Sequence, residues 1–166
     1  MGTDILSVKV VGRPNVGKSR LINCIFDREK FKINNPIDAI TQSRSRSVIL
    51  LPNGSPIMIE ILVIDDKVGH NKSMINYTLN QISDADFTIV VIDAREELYK
   101  SETELIAYLQ NNRIPFLIAV NKIEFGTNPH LLSELDALEV NYFELSCKEN
   151  AGIESFRKTL IHMLPD

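Results

Sequence analysis

Tryptophan is absent from the 166 residues, and cysteine occurs only at Cys24 and Cys147. Two cysteines, with no Cys-x-x-Cys pair and no neighbouring ligand set, exclude a disulfide scaffold and a cysteine zinc site. The expectation is two buried thiols in a reducing compartment. No apolar run approaches the roughly 18 residues that span a bilayer, so no membrane association is expected. Met1 to Ser7 lack a basic segment leading into an apolar stretch of signal-peptide length. Positive charge is not in excess, with 18 Lys and Arg against 22 Asp and Glu and a net charge of -4. That balance gives no electrostatic reason to expect nucleic acid or anionic membrane as a partner. A cytoplasmic location follows as the expectation. Repeats, low-complexity tracts and interdomain linkers are also missing, so residues 1–166 are expected to form one domain.

What is present is an alternation of short β-branched runs with amphipathic stretches. Apolar runs lie at Ile5–Val11, Ser47–Leu51, Ile57–Ile64, Phe87–Ile92, Phe116–Val120 and Tyr142–Leu145. Helical patterns fall at Ser19–Phe26, Met74–Ile82, Glu102–Leu109, Leu131–Leu138 and Ile153–Met163. Strands alternating with helices predict an α/β fold with a mostly parallel sheet covered on both faces. Pro52-Asn53-Gly54-Ser55 between two strand-like runs predicts one antiparallel hairpin within it. The reading is six strands, one of them antiparallel, and five helices.

Gly12-Arg13-Pro14-Asn15-Val16-Gly17-Lys18-Ser19 fits G-x-x-x-x-G-K-[ST] between a predicted strand and a predicted helix. In that context glycines let the backbone wrap phosphates, and the amides of residues such as Val16 and Gly17 point inward at a helix N-terminus. Lys18 adds positive charge toward the β- and γ-phosphates, and the Ser19 hydroxyl suits Mg2+. Arg20 follows directly and is grouped with the nucleotide contacts. Asn121-Lys122-Ile123-Glu124 and Ser146-Cys147-Lys148 each follow a predicted strand, at the sheet edge where open α/β sheets bind ligands. They resemble the N-K-x-D and S-A-K motifs by which GTPases read guanine. A carboxylate at Glu124 can accept from guanine N1–H and its exocyclic amine together, which adenine cannot offer. The resemblance implies that Lys122 lies along the base and that Asn121 ties the base loop to the phosphate loop. It also implies that the Cys147 N–H meets guanine O6.

The form G-R-P-N-V-G-K-S is similar to that of the TrmE-Era-EngA-like bacterial GTPases, and the similarity covers essentially the whole chain. Within that group the chain looks most like the GTPase domain of HydF-type hydrogenase-maturation proteins. The stretches that carry this are Leu50 to Ile59, Arg113-Ile114-Pro115-Phe116 and Leu164-Pro165. The resemblance implies a three-layer P-loop NTPase, a Ras-like G domain, binding GTP and GDP with Mg2+ and hydrolysing GTP as a switch. The effector it implies is hydrogenase-maturation machinery, with a dimer as the assembly. HydF-type proteins carry dimerisation and iron–sulfur domains after this one, and neither is present in this sequence. The alternative reading is a degenerate G domain that binds nucleotide or a partner and does little chemistry.

Thr41 matches the switch I threonine, whose hydroxyl completes Mg2+ coordination and whose N–H senses the γ-phosphate. In Ile64-Asp65-Asp66-Lys67-Val68-Gly69-His70, the family's D-x-x-G is met by Asp66 and Gly69. Counting from the usual hydrophobic start instead makes Asp65 the metal-side acid and puts Val68 in place of the glycine. In the first register His70 stands where some GTPases carry a residue that orients the attacking water. Glu124 replaces the family's aspartate, and its extra methylene displaces the carboxylate by about 1.5 Å. Asn15 is implied to help hold a K+ ion beside the phosphates, where a cation neutralises charge that builds in the transition state. If Asp66 and Gly69 are the functional pair, Gly69→Ala should weaken binding of a non-hydrolysable GTP analogue and leave GDP affinity nearly unchanged. His70→Ala should lower turnover while sparing both affinities. A Gly69→Ala variant that binds both nucleotides like the parent would move the metal-side role to Asp65.

Overall fold

The computed structural model describes residues 5–26, 32–33, 45–51, 54–64 and 78–165. Its strands are β1 (Leu6–Gly12), β2 (Lys32–Ile33), β3 (Ser45–Leu50), β4 (Pro56–Val63), β5 (Phe87–Asp93), β6 (Phe116–Asn121) and β7 (Tyr142–Leu145). They form one sheet in the order β2-β3-β4-β1-β5-β6-β7. β1 pairs in parallel with β4 and β5, β5 with β6, and β6 with β7. β3 runs antiparallel to β4, which is the expected hairpin. Its turn is closed by Leu51 N–H to Ser55 O and Gly54 N–H to Leu51 O, both 2.8 Å. All six expected strands are present. The two-residue β2, antiparallel to β3, is an addition too short to show any periodicity.

Among the described residues five helical stretches flank the sheet: α1 (Lys18–Ile25), α2 at residues 78–82, α3 (Lys100–Asn111), α4 (Pro129–Ala137) and α5 (Ile153–Met163). Leu21, Ile22 and Ile25 of α1 and Phe156 and Leu160 of α5 pack on one face, against Val8, Val10 and Ile89. Leu105 and Leu109 of α3 and Leu131 and Leu135 of α4 pack on the other, against Val11, Val90 and Val120. Every residue of β5 is buried, as expected of a central parallel strand covered on both sides. This is the three-layer α/β architecture expected of a P-loop NTPase.

Helix boundaries follow from local chemistry. At the start of α3 the Glu102 carboxylate accepts the Tyr99 N–H at 2.8 Å, the reciprocal half of a capping box. At α4 the Asn128 side chain accepts from His130 N–H beside Pro129. The last carbonyls of α1 lack intrahelical partners and are met by Arg157 of α5, whose Nε donates to Ile25 O at 2.6 Å and Nη2 to Cys24 O at 2.9 Å. Arg157 is buried, so this contact fixes the phosphate-loop helix to the C-terminal helix through charge-assisted bonds.

The segment from β7 into α5 turns at Gly152, where φ is 74°. A β-carbon there would collide with the Glu144 carbonyl oxygen and lie 2.9 Å from Leu145 Cδ2. Glycine is therefore required by both backbone angle and space. We expect Gly152→Ala to lower unfolding free energy by about 1–3 kcal/mol, read by urea denaturation. Unchanged stability would contradict this packing.

Candidate functional site

Gly12 ends β1 and Lys18 opens α1, so the glycine-rich run occupies the turn between them. Asn15 and Gly17 both take positive φ, at 67° and 90°, and this curls the backbone ahead of the helix N-terminus. Lys18 is buried, and its Nζ donates to Gly12 O at 2.9 Å and Arg13 O at 2.8 Å. Burial lowers its pKa to about 8. The Val16 side chain belongs to the core under α1, so only its backbone faces the loop's chemistry. Ser19 is half-buried in the first turn of α1, and its hydroxyl is a hard oxygen of the kind Mg2+ takes. Among the described residues no group of three or more His, Cys, Asp or Glu could hold a metal ion. A loop hydroxyl plus substrate phosphates, with one or two further oxygens, is how Mg2+ is usually held.

The base-side motif sits at the end of β6, two strands away from β1. Asn121 is buried, and its Nδ2 donates to Val16 O at 2.9 Å, across 105 positions of sequence. Lys122 takes φ 71° and reaches back with its Nζ to Asn15 O at 2.6 Å. A β-carbon on Gly17 would lie 2.8 Å from Asn121 Nδ2 and 3.4 Å from Lys122 Cε. The glycine is what lets the two loops close on each other. Glu124 sits on a single 3-10 turn, Ile123–Phe125, that no sequence periodicity indicated.

A cleft of about 470 Å³ opens between these loops, lined by Gly17 and Arg20 on one side and Asn121, Lys122 and Glu124 on the other, with Cys147 and Lys148 closing it. Glu124 is ionised at neutral pH. The Ser146 hydroxyl, its own backbone N–H and the charges of Arg20 and Lys148 hold its carboxyl below the usual range. Its Oε1 is enclosed with no hydrogen-bond partner among the described residues. Ser146 is fully buried beneath the loop, where its hydroxyl accepts the Glu149 N–H at 3.0 Å. A backbone bridge between Ser146 and Ala151 holds the loop's base. Cys147 is half-buried rather than buried, because it closes the cleft, and Cys24 is half-buried too; both are free. Burial and the neighbouring Cys24 push the Cys147 thiol up to about 12.

The cleft also has a wall that the sequence did not suggest. Phe125 lines it and is 57% exposed. The Arg95 guanidinium stands 4.9 Å from its ring centroid. Arg95 is itself held by Asp93 at the end of β5, through Nε to Oδ1 at 3.0 Å and Nη2 to Oδ2 at 2.7 Å. Burial raises the Asp93 pKa, but these bonds outweigh it and keep the carboxyl below its ordinary value. Thr41, Asp65, Asp66, Gly69 and His70, the remaining candidates, lie outside the described residues.

The sequence profile of the family described as 50S ribosome-binding GTPase matches residues 7–122. The chain belongs to this GTPase family. The match runs from β1 through the phosphate loop to Lys122, and the loops carrying Glu124 and Cys147 lie beyond it. GTPase Der of Campylobacter fetus subsp. fetus is 26% identical over 94% of this chain, which spans 34% of that protein. GTPase Era of Geobacter metallireducens is 27% identical over 81% of this chain and 45% of its own length. The chain thus spans less than half of either relative. Among solved structures, an Aquifex aeolicus Era variant bound to GDP and AlF4- superposes on 99% of this chain and 58% of its own. The TM-score is 0.68 and the identity 25%. Membership of the family agrees with a three-layer fold whose phosphate loop sits between β1 and α1.

Lys18 gives this GTPase domain a titratable group at the phosphate loop. A polyphosphate seated beside Lys18 would raise the pKa of that buried ammonium, so above about pH 8 its binding should take up a proton and weaken as pH rises. Calorimetric titration of GDP at pH 8.5 in two buffers of different ionisation enthalpy should show that uptake. Identical heats in the two buffers would contradict the placement of Lys18 against phosphate.

Proposed function

We propose that this chain binds GTP and GDP with Mg2+ in the cleft between the phosphate loop and the base loop, and hydrolyses GTP as a switch. The observation that carries the reading is the Asn121–Val16 hydrogen bond, which holds a phosphate cradle and a base cleft in one rigid relation. Glu124 supplies the selectivity. Its carboxylate lines the cleft, and guanine N1–H and the exocyclic amine are donors of the kind that a carboxylate accepts. Adenine offers an acceptor at N1 where guanine offers a donor, so it sets an acceptor against the carboxylate, a mismatch that polar sites use to discriminate. Lys18 and the loop amides offset phosphate charge. Ser19, Thr41 and Asp65 or Asp66 are the residues that would hold Mg2+, which supplies charge neutralisation at the β- and γ-phosphates when bound. Gly69 and His70 are assigned to sensing the γ-phosphate and orienting water. Asn15, exposed in the loop, is assigned to a K+ ion beside the phosphates. The HydF-like stretches support a role with hydrogenase-maturation machinery in the cytoplasm, as a dimer.

Phosphate release measured with Mg2+ tests the reading. Turnover should rise when K+ replaces Na+ at fixed ionic strength, and the rise should vanish in Asn15→Ala. Equal rates in the two salts remove K+ from the account. Glu124→Asp should tighten GDP several-fold, about 1 kcal/mol, by restoring the family's charge-assisted geometry. Weaker GDP binding would show that the loop is fitted to glutamate. Binding without any phosphate release would replace the enzyme by the degenerate G domain.

A further inference from the structure

Arg13 has no part in the base cleft, yet its side chain is one of the most constrained in the phosphate loop. Its Nε donates to Glu102 Oε2 at 3.3 Å, across 89 positions of sequence. Its guanidinium carbon stands 3.6 Å from the centroid of the Tyr99 ring, a stacked cation–π contact. The Glu102 side chain is fully buried, and its other oxygen accepts the Tyr99 N–H. Loop, ring and carboxylate thus form one closed cluster at the start of α3. One Arg13 nitrogen, Nη2, is enclosed without a hydrogen-bond partner among the described residues. An enclosed donor without a partner destabilises a fold, and such costs persist where the surrounding structure puts the group to use.

The use is visible in the loop. On its base side the loop is held twice, at Val16 O by Asn121 and at Asn15 O by Lys122. On its strand side the carbonyls of Gly12 and Arg13 are held by Lys18 Nζ, the group assigned to phosphate. An ammonium drawn toward phosphate weakens its hold on those carbonyls. Gly12 O then keeps its bond from the Ile64 N–H at 3.0 Å, and the Arg13 side chain anchors the next residue of the loop from outside the ligand's reach. We propose that Arg13 is a positioning residue for nucleotide, clamped on Tyr99 and Glu102 so that the loop amides stay in the shape that receives a polyphosphate. The contribution is preorganisation, which raises affinity by removing an ordering cost at binding. The proposal rests on the guanine-nucleotide reading for its ligand but not for its geometry.

Two measurements on the purified chain test it. The release rate of GDP carrying an N-methylanthraniloyl fluorophore should rise on the order of tenfold in Arg13→Ala and in Tyr99→Leu. Tyr99→Phe, which keeps the ring, should retain the parental rate. Without nucleotide, the amides of residues 14–19 should exchange hydrogen faster in the first two variants, and α3 should exchange as in the parent. Thermal unfolding of each variant separates loop effects from lost stability, and the half-exposed Tyr99 gives a variant that folds if Arg13→Ala does not. Unchanged release and unchanged loop exchange in Tyr99→Leu would overturn the proposal. A parent that fails to retain the fluorescent GDP would sink the guanine reading, with amide exchange still deciding the clamp.

Discussion

The bond from the Asn121 side chain to the Val16 carbonyl is the constraint on which the site depends. β1 and β6 are not neighbours, since β5 lies between them, so the sheet alone does not join their C-terminal loops. A buried amide bridging 2.9 Å does. If the amide is lost, the Val16 carbonyl keeps its burial without its partner, at about 1–3 kcal/mol. Gly17 follows from the same constraint, because any β-carbon there would collide with that amide. The glycine in G-K-S is therefore read here as a contact residue of the base loop as much as a phosphate-loop hinge.

Charge is arranged around this bond in a way that the overall balance conceals. The chain is net acidic at -4, yet Arg20, Lys122 and Lys148 surround the cleft and Lys18 lies buried beside it. Burying an ammonium against two carbonyls costs solvation, and its lowered pKa records that cost. A ligand bringing several negative charges recovers it. Among the described residues Glu124 is the one carboxylate lining the cleft, which is why the proposed reading gives it the donors of the base.

Most of the architecture was legible in the sequence because strand and helix periodicities are local. β5 read as an uninterrupted apolar run because both its faces are covered, and the hairpin read from Asn53-Gly54 between two strand patterns. β2 and the 3-10 turn at Ile123–Phe125 escaped because two or three residues show no period. The motif residues stand out for a different reason: glycine, lysine and serine at those spacings, between a strand and a helix, are the pattern that wraps phosphate. What stayed hidden were contacts between residues far apart in the chain. Arg13 reads as a variable position of the loop until Tyr99 and Glu102 are seen beside it. Phe125 carries no signal in the sequence, and its exposure against Arg95 emerges only from the turn. The two thiols read as buried but are half-buried, and Cys147 borders the cleft.

The central claim is that the cleft beside the phosphate loop reads guanine. Side-by-side calorimetric titration of GDP and ADP with Mg2+ tests it most directly, because both ligands engage the same phosphate loop and differ only at the base. The account predicts a preference for GDP on the order of a hundredfold or more, as expected when one base offers donors to a carboxylate and the other sets an acceptor against it. Equal affinities would contradict it.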